Sequence, residues 1–283
     1  MASPIRTDMA DESCRLWQRA NGAARLPGVR AEEQELLGLP VTAVEISDDD
    51  SAAALGRAKG KFFTLTLPKH FSRGAEQFDS CARACAELIW RCLPGAPERI
   101  LVAALGNPDI TPDALGSLVA GSVIVTWHLK QSEPESFRGF ASLALCRPGV
   151  LGTAGVESAR QVAALCEELK PELVIAVDAL AGSEPERLCR TLQISDSGIS
   201  PGSGVGNDRR ELSRASLGVP VISVGVPTVI DAASLGRDGV DDMFVTPRSI
   251  DSVVRNAARI IGYGIDLAVH RGISMGDIDM LVG

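Results

Sequence analysis

Residues 171–207 read PELVIAVDALAGSEPERLCRTLQISDSGISPGSGVGN. The apolar run from Leu173 to Val177 is rich in β-branched residues and bounded by polar ones, which predicts a buried strand. Asp178 follows it directly, where such a strand is expected to open into a loop. In open α/β sheets that edge is where ligands bind. A second short apolar stretch and a glycine-rich segment, Gly198 to Gly206, complete the region.

An earlier part of the chain repeats the arrangement. Arg99 to Leu105 is another apolar run, followed by Gly106-Asn107 and then Thr111-Pro112-Asp113-Ala114-Leu115-Gly116. Both places carry Asp-Ala-Leu just past a predicted strand. If the two strands are neighbours in a parallel sheet, Asp113 and Asp178 face each other across its carboxyl edge. Two close carboxylates cannot both ionise cheaply, so one keeps its proton and the pair supplies an acid and a base together. Thr111 as N-cap and Pro112 at the first helical position give Asp113 a plainer alternative as a helix-start residue.

Working outward, residues 1–35 are polar, with at most a short helix in ESCRLWQRANGA, and read as a mobile leader. Val41 to Ile46 reads as an edge strand and Lys61 to Leu67 as a clearer one, ended by Pro68. Gly74 to Leu93 has helical periodicity and stops at Pro94-Gly95. Ser122 to Leu129 and Phe140 to Cys146 read as strands, Val156 to Leu169 as a helix, Val219 to Val224 as a buried strand, and Pro247 to Gly262 as a helix before a short helical tail. Strands alternating with helices predict α/β architecture: one largely parallel or mixed sheet flanked by helices.

The chain has 283 residues, a net charge of −8 and 45% hydrophobic residues. That is enough for a substantial core in one large domain. The acidic balance argues against a general nucleic-acid binder. No apolar run approaches the roughly 20 residues of a membrane span, and the N-terminus lacks a signal-peptide apolar region, so the expected location is cytoplasmic. Seven cysteines form no C-x-x-C pair, and three scattered histidines give no zinc spacing. The cysteines read as small buried hydrophobes in a reduced compartment, and neither a metal nor a cofactor is expected.

Other chemistries fit less well. Gly202-Ser203-Gly204-Val205-Gly206-Asn207 invites anion binding by backbone N–H groups, but it matches neither the dinucleotide nor the triphosphate fingerprint. No nucleophile elbow occurs for a serine hydrolase, and a cysteine nucleophile such as Cys189 has no local support. Asp196-Ser197-Gly198 looks like the tripeptide of two-lobed aspartic proteases, yet it has no second copy and reads as a turn. A non-catalytic α/β protein that binds a small ligand or nucleotide stands as the alternative from another class.

RTLQISDSGI with PGSGVGN, VDALA, NPDITPDALG, PGVLGTAGVES and LGVPVISVGVPTVIDA together resemble the germination proteases of spore-forming bacteria. The matches are ordered and run from Arg6 to the C-terminus. The resemblance implies a fold like that of hydrogenase-maturation proteases and an atypical aspartic endopeptidase. Its implied substrates are small acid-soluble spore proteins, degraded at germination in the spore core. The implied catalytic pair is Asp113 and Asp178. It further implies a zymogen that cuts itself between Asp8 and Met9, leaving 1–8 as propeptide and 9–283 as a single peptidase domain, and a homotetramer. The loop residues Gly202, Ser203, Gly204, Gly206 and Asn207 are candidate donors to an oxyanion or to substrate backbone. Ser200 stands where the family carries His, and Ser158 where it carries Thr. A hydrogenase-maturation type of peptidase fits less well, because histidines are scarce.

Overall fold

A computed structural model describes residues 7–22, 25–202, 210–235 and 243–282. The helices are α1 (Ala10–Ala20), α2 (Asp49–Leu55), α3 (Phe78–Cys92), α4 (Leu115–Val119), α5 (Trp127–Ser132), α6 (Leu151–Ala154), α7 (Ser158–Leu169), α8 (Arg214–Leu217), α9 (Ile250–Val269) and α10 (Met275–Val282). The strands are β1 (Val29–Leu36), β2 (Leu39–Ile46), β3 (Gly60–Thr66), β4 (Arg99–Ala104), β5 (Ser142–Cys146), β6 (Leu173–Gly182), β7 (Thr191–Ser195), β8 (Val221–Asp231) and β9 (Phe244–Val245).

These strands form one mixed sheet in the order β1-β2-β3-β7-β8-β6-β4-β5, with β9 on β8. Parallel pairing is confined to β5-β4-β6-β8, and the other pairings are antiparallel. Alternation along the central strands sorts side chains to two faces. Ile100, Val102, Ile175 and Val177 pack with α3, α4 and α9 on one face, and Leu101, Ala103, Val174 and Ala176 pack with α7 on the other. At the crossing of α3 and α9, a Cβ on Gly264 would lie 2.6 Å from Cys85 Sγ, so only glycine lets the helices approach this closely. The buried cysteines of α3, Cys81, Cys85 and Cys92, belong to this core.

Several sequence expectations need correction. Residues 7–20 are not a mobile leader, because Thr7, Met9 and Ala10 are buried and α1 docks on the sheet. The docking surface is mixed: Ala10, Cys14 and Trp17 join an apolar cluster with Val44, Ile46, Leu55 and Phe62, while charged residues between them are buried in ion pairs and hydrogen bonds that mask the apolar period. Arg187 Nη2 lies 2.5 Å from Asp11 Oδ2, and Glu12 Oε2 accepts from Ser183 N–H at 2.7 Å. Residues 29–36 form the true edge strand β1, whose outward Glu32, Glu33 and Glu35 hid its pairing with β2.

The segment before α5 is not a strand: Ile124 N–H donates to the buried Asp266 carboxylate instead of a ladder partner. No α-helix begins at Thr111. Thr111 to Asp113 is a single 3-10 turn preceded by Ile110, and Thr111 Oγ1 donates to Asp251 rather than capping a helix. Asp178 is interior to β6 rather than at its end. The long neighbour β8 carries the pairing on from Asp178↔Gly225 to Gly182↔Ile230, past a register shift at Leu180/Ala181.

Candidate active site

β4 and β6 are parallel neighbours with Ala104 opposite Val177, and Leu105 N–H donates to the Val177 carbonyl at 2.8 Å. The adjacency expected from the repeated Asp-Ala-Leu therefore holds. Asp178 is 4% exposed, and its Oδ1 accepts from Ala179 N–H at 3.0 Å. Beyond β4 the chain turns at Gly106, where φ is +98° and a Cβ would meet the Asp113 carbonyl at 1.9 Å. Only glycine takes this position without displacing Asp113. The turn aims Asn107 N–H at Asp113 Oδ2, 2.8 Å away. Asp113 is thus held by the preceding loop rather than by the start of a helix.

Asp113 and Asp178 line one cavity of about 340 Å³ together with Gly106, Ser158, Pro201, Gly202, Thr228 and Thr246. Thr228 Oγ1 is buried there with no hydrogen-bond partner among the described residues. Gly202 has φ +74° and belongs to the cavity wall, whereas Ser203, Gly204, Gly206 and Asn207 lie outside the described residues.

Asp8 lines the same cavity. It also lines an adjoining one of about 640 Å³ that includes Arg57, Gln193, Ser197 to Ser200 and Glu211. The strip around it is held by specific bonds. Asp8 N–H donates to the Ala181 carbonyl at 2.7 Å, and Ala181 N–H donates back to Asp8 Oδ2 at 2.8 Å. Arg57 Nη1 lies 3.9 Å from Asp8 Oδ1. Gln193 Nε2 donates to the Asp8 carbonyl at 3.0 Å, and Gln193 Oε1 accepts from Ala10 N–H at 2.7 Å. Burial pushes the Arg57 guanidinium pKa down, while the Asp8 and Glu12 carboxylates oppose that shift. Burial raises the pKa of Glu12, against hydrogen bonds from Thr7 and Ser183.

Arg57, Gln193, Thr228 and the Ala181 backbone were not legible as site residues. Gln193 had one available signal, a polar side chain in the middle of the apolar run TLQIS. No group of three or more His, Cys, Asp or Glu among the described residues could hold a metal ion. No helix among them is long and apolar enough to cross a membrane.

Residues 7–245 match the family model described as germination protease. The chain belongs to the germination protease family. The germination protease of Caldanaerobacter subterraneus subsp. tengcongensis is 34% identical over 321 aligned residues, with 98% of each chain covered. That of Clostridium perfringens is 33% identical, covering 97% of this chain and 98% of the relative. That of Bacillus cereus is 41% identical over 243 residues, covering 84% of this chain and 66% of the relative. Membership makes the chain a peptidase and gives it a protease role in spores. Among solved structures, the [NiFe] hydrogenase maturation protease HycI from Thermococcus kodakarensis aligns with 63% of this chain and 98% of its own, at a TM-score of 0.38 and 17% identity.

Proposed function

We propose that this germination-protease-family member is an aspartic-type endopeptidase made as a zymogen. On this reading Asp113 and Asp178 activate water, and the bond between Asp8 and Met9 is the one it cuts in itself. The observation that supports this best is that both aspartates and Asp8 line one cavity. One carboxylate, as base, takes a proton from water as its oxygen attacks the scissile carbonyl. The other, protonated, hydrogen-bonds that carbonyl and then helps protonate the leaving amine. A C–O bond forms, the C–N bond breaks, and the protons of the water end on the new amine and the carboxyl groups.

Small acid-soluble spore proteins as substrates, the spore core as location and a homotetrameric assembly come with the resemblance. They are parts of the same reading. Light scattering of the purified chain tests the tetramer, and cleavage of a purified spore protein tests the substrate class.

The deciding experiment is intact mass of the wild type, Asp113→Asn and Asp178→Asn before and after incubation at mildly acidic pH. Removal of residues 1–8 in the wild type alone is the expected result, because each Asn keeps the shape but cannot exchange a proton. Equal processing in all three would make the pair structural and end the catalytic assignment.

A further inference from the structure

One side chain bonds the chain on both sides of Met9, at the carbonyl of the Asp8–Met9 peptide and at the N–H of the peptide that follows it, while the Met9 N–H between them donates to Thr7 Oγ1 at 3.1 Å. Gln193 projects from β7 and is 6% exposed. Its Nε2 donates to the carbonyl oxygen of Asp8, and its Oε1 accepts the N–H of Ala10, two residues on. The orientation of the amide is fixed by these partners, since a carbonyl needs a donor and an N–H needs an acceptor. The sheet fixes its position, because Gln193 pairs with Gly225 of β8 on one side and Thr64 of β3 on the other.

We propose that Gln193 is a catalytic residue of the peptidase: its Nε2–H polarises the scissile carbonyl and holds the oxyanion, while its Oε1 sets the register of the chain beyond the cut. This rests on the reading of Asp8–Met9 as the bond that is cut, and adds to the aspartate pair a neutral donor that needs no proton transfer. As water adds to the Asp8 carbonyl carbon, negative charge grows on the oxygen that Gln193 already contacts, and the hydrogen bond strengthens where the charge appears. A substrate in the same groove would offer the same two atoms, the carbonyl before the cut and the N–H two residues after it. The 640 Å³ cavity that Gln193 and Asp8 share gives such a chain room to pass.

The test uses the full chain and follows self-processing by intact mass. Gln193→Glu keeps size and acceptor and loses the donor when its carboxyl is ionised, so the cut is expected to slow about 100-fold, the effect of removing one oxyanion donor, with the rate recovering as pH falls and the carboxyl O–H donates instead. Gln193→Ala is then crossed with Ala10→Pro, which deletes the N–H that Oε1 accepts. Proline is tolerated at the first position of a helix, and the preceding Met9 is already extended (φ −85°, ψ 120°). Ala10→Pro should slow processing in the wild type and have no further effect in Gln193→Ala.

A wild-type rate in Gln193→Ala, or equal slowing by Ala10→Pro in both backgrounds, would overturn the proposal. The second outcome would mean that Gln193 acts only by supporting the fold. If the wild type cuts itself at a bond other than Asp8–Met9, the mass shows it, and both this role and the processing site fall. If the cut is at Asp8–Met9 and the Gln193 variants alone are unaffected, only the role of Gln193 falls.

Discussion

Arg57→Met separates a specific reading of the Asp8 side chain from a general contribution to folding. The guanidinium lies 3.9 Å from the Asp8 carboxylate, with side chains 17% and 12% exposed. At that distance and an effective dielectric constant of about 20, the attraction is about 4 kcal/mol. Taking both groups out of water offsets a good part of it. Close, partly buried charge pairs retain about 2 kcal/mol or more in double-mutant cycles, which is roughly 30-fold in a rate or equilibrium. Methionine keeps the apolar stem and removes the charge.

The assay is the rate of self-processing, by intact mass, for wild type, Arg57→Met, Asp8→Asn and the double variant. Each single variant should slow the cut by about 30-fold, as worked above, and the double should be no slower than the worse single. Effects that multiply instead would show that Arg57 does not act through the Asp8 carboxylate. A wild-type rate in Arg57→Met would refute the electrostatic argument outright.

Gly106→Ala should displace Asp113, because the new Cβ would lie 1.9 Å from its carbonyl oxygen at φ +98°. The expected loss is about 1–3 kcal/mol of stability in urea unfolding together with most of the processing rate, and unchanged values of both would contradict the geometry. Burial lowers the pKa of His270 from 6.5 to about 4, where it faces Asp266 of its own helix, the Ile124 carbonyl and the charge of Lys130. The unfolded chain binds the proton more readily between those values, so stability falls by up to about 3 kcal/mol as pH drops from 6.5 towards 4. Asp266, its own pKa raised by burial, acts in the opposite sense, favouring the fold at low pH and losing that contribution as pH rises. His270→Phe retains Asp266 and should flatten the His270 share of the urea-unfolding profile, and an identical slope in both proteins would refute the assignment.

Burial pushes the thiols of Cys81, Cys92, Cys146 and Cys189 up to about 12 and that of Cys14 to about 11. Native protein at pH 8 should therefore react slowly with a disulfide reagent and release its thiols only on unfolding, and rapid native labelling would contradict this burial.

The aspartate pair was legible because its signal is local. Two apolar runs each end near Asp-Ala-Leu, and a parallel sheet brings such ends to one edge. The docking of residues 7–20 was not legible, since its short apolar stripe of Ala10, Cys14 and Trp17 is interrupted by Asp11 and Glu12, whose burial depends on the distant Arg187 and Ser183. The edge strand β1 was hidden for the same reason, its charged residues facing solvent.

By itself, then, the sequence determined the α/β class, the central strands, the long helices and, through ordered motifs, the family. Periodicity and turn residues act over a few positions, and those features are made over a few positions. The tertiary structure decided that β6 runs on past Asp178, that Asp113 is held by Asn107 N–H, and that Arg57, Ala181 and Gln193 meet at Asp8. Each of these depends on which strand lies beside which and in what register, a pairing between distant segments that no single stretch of chain encodes.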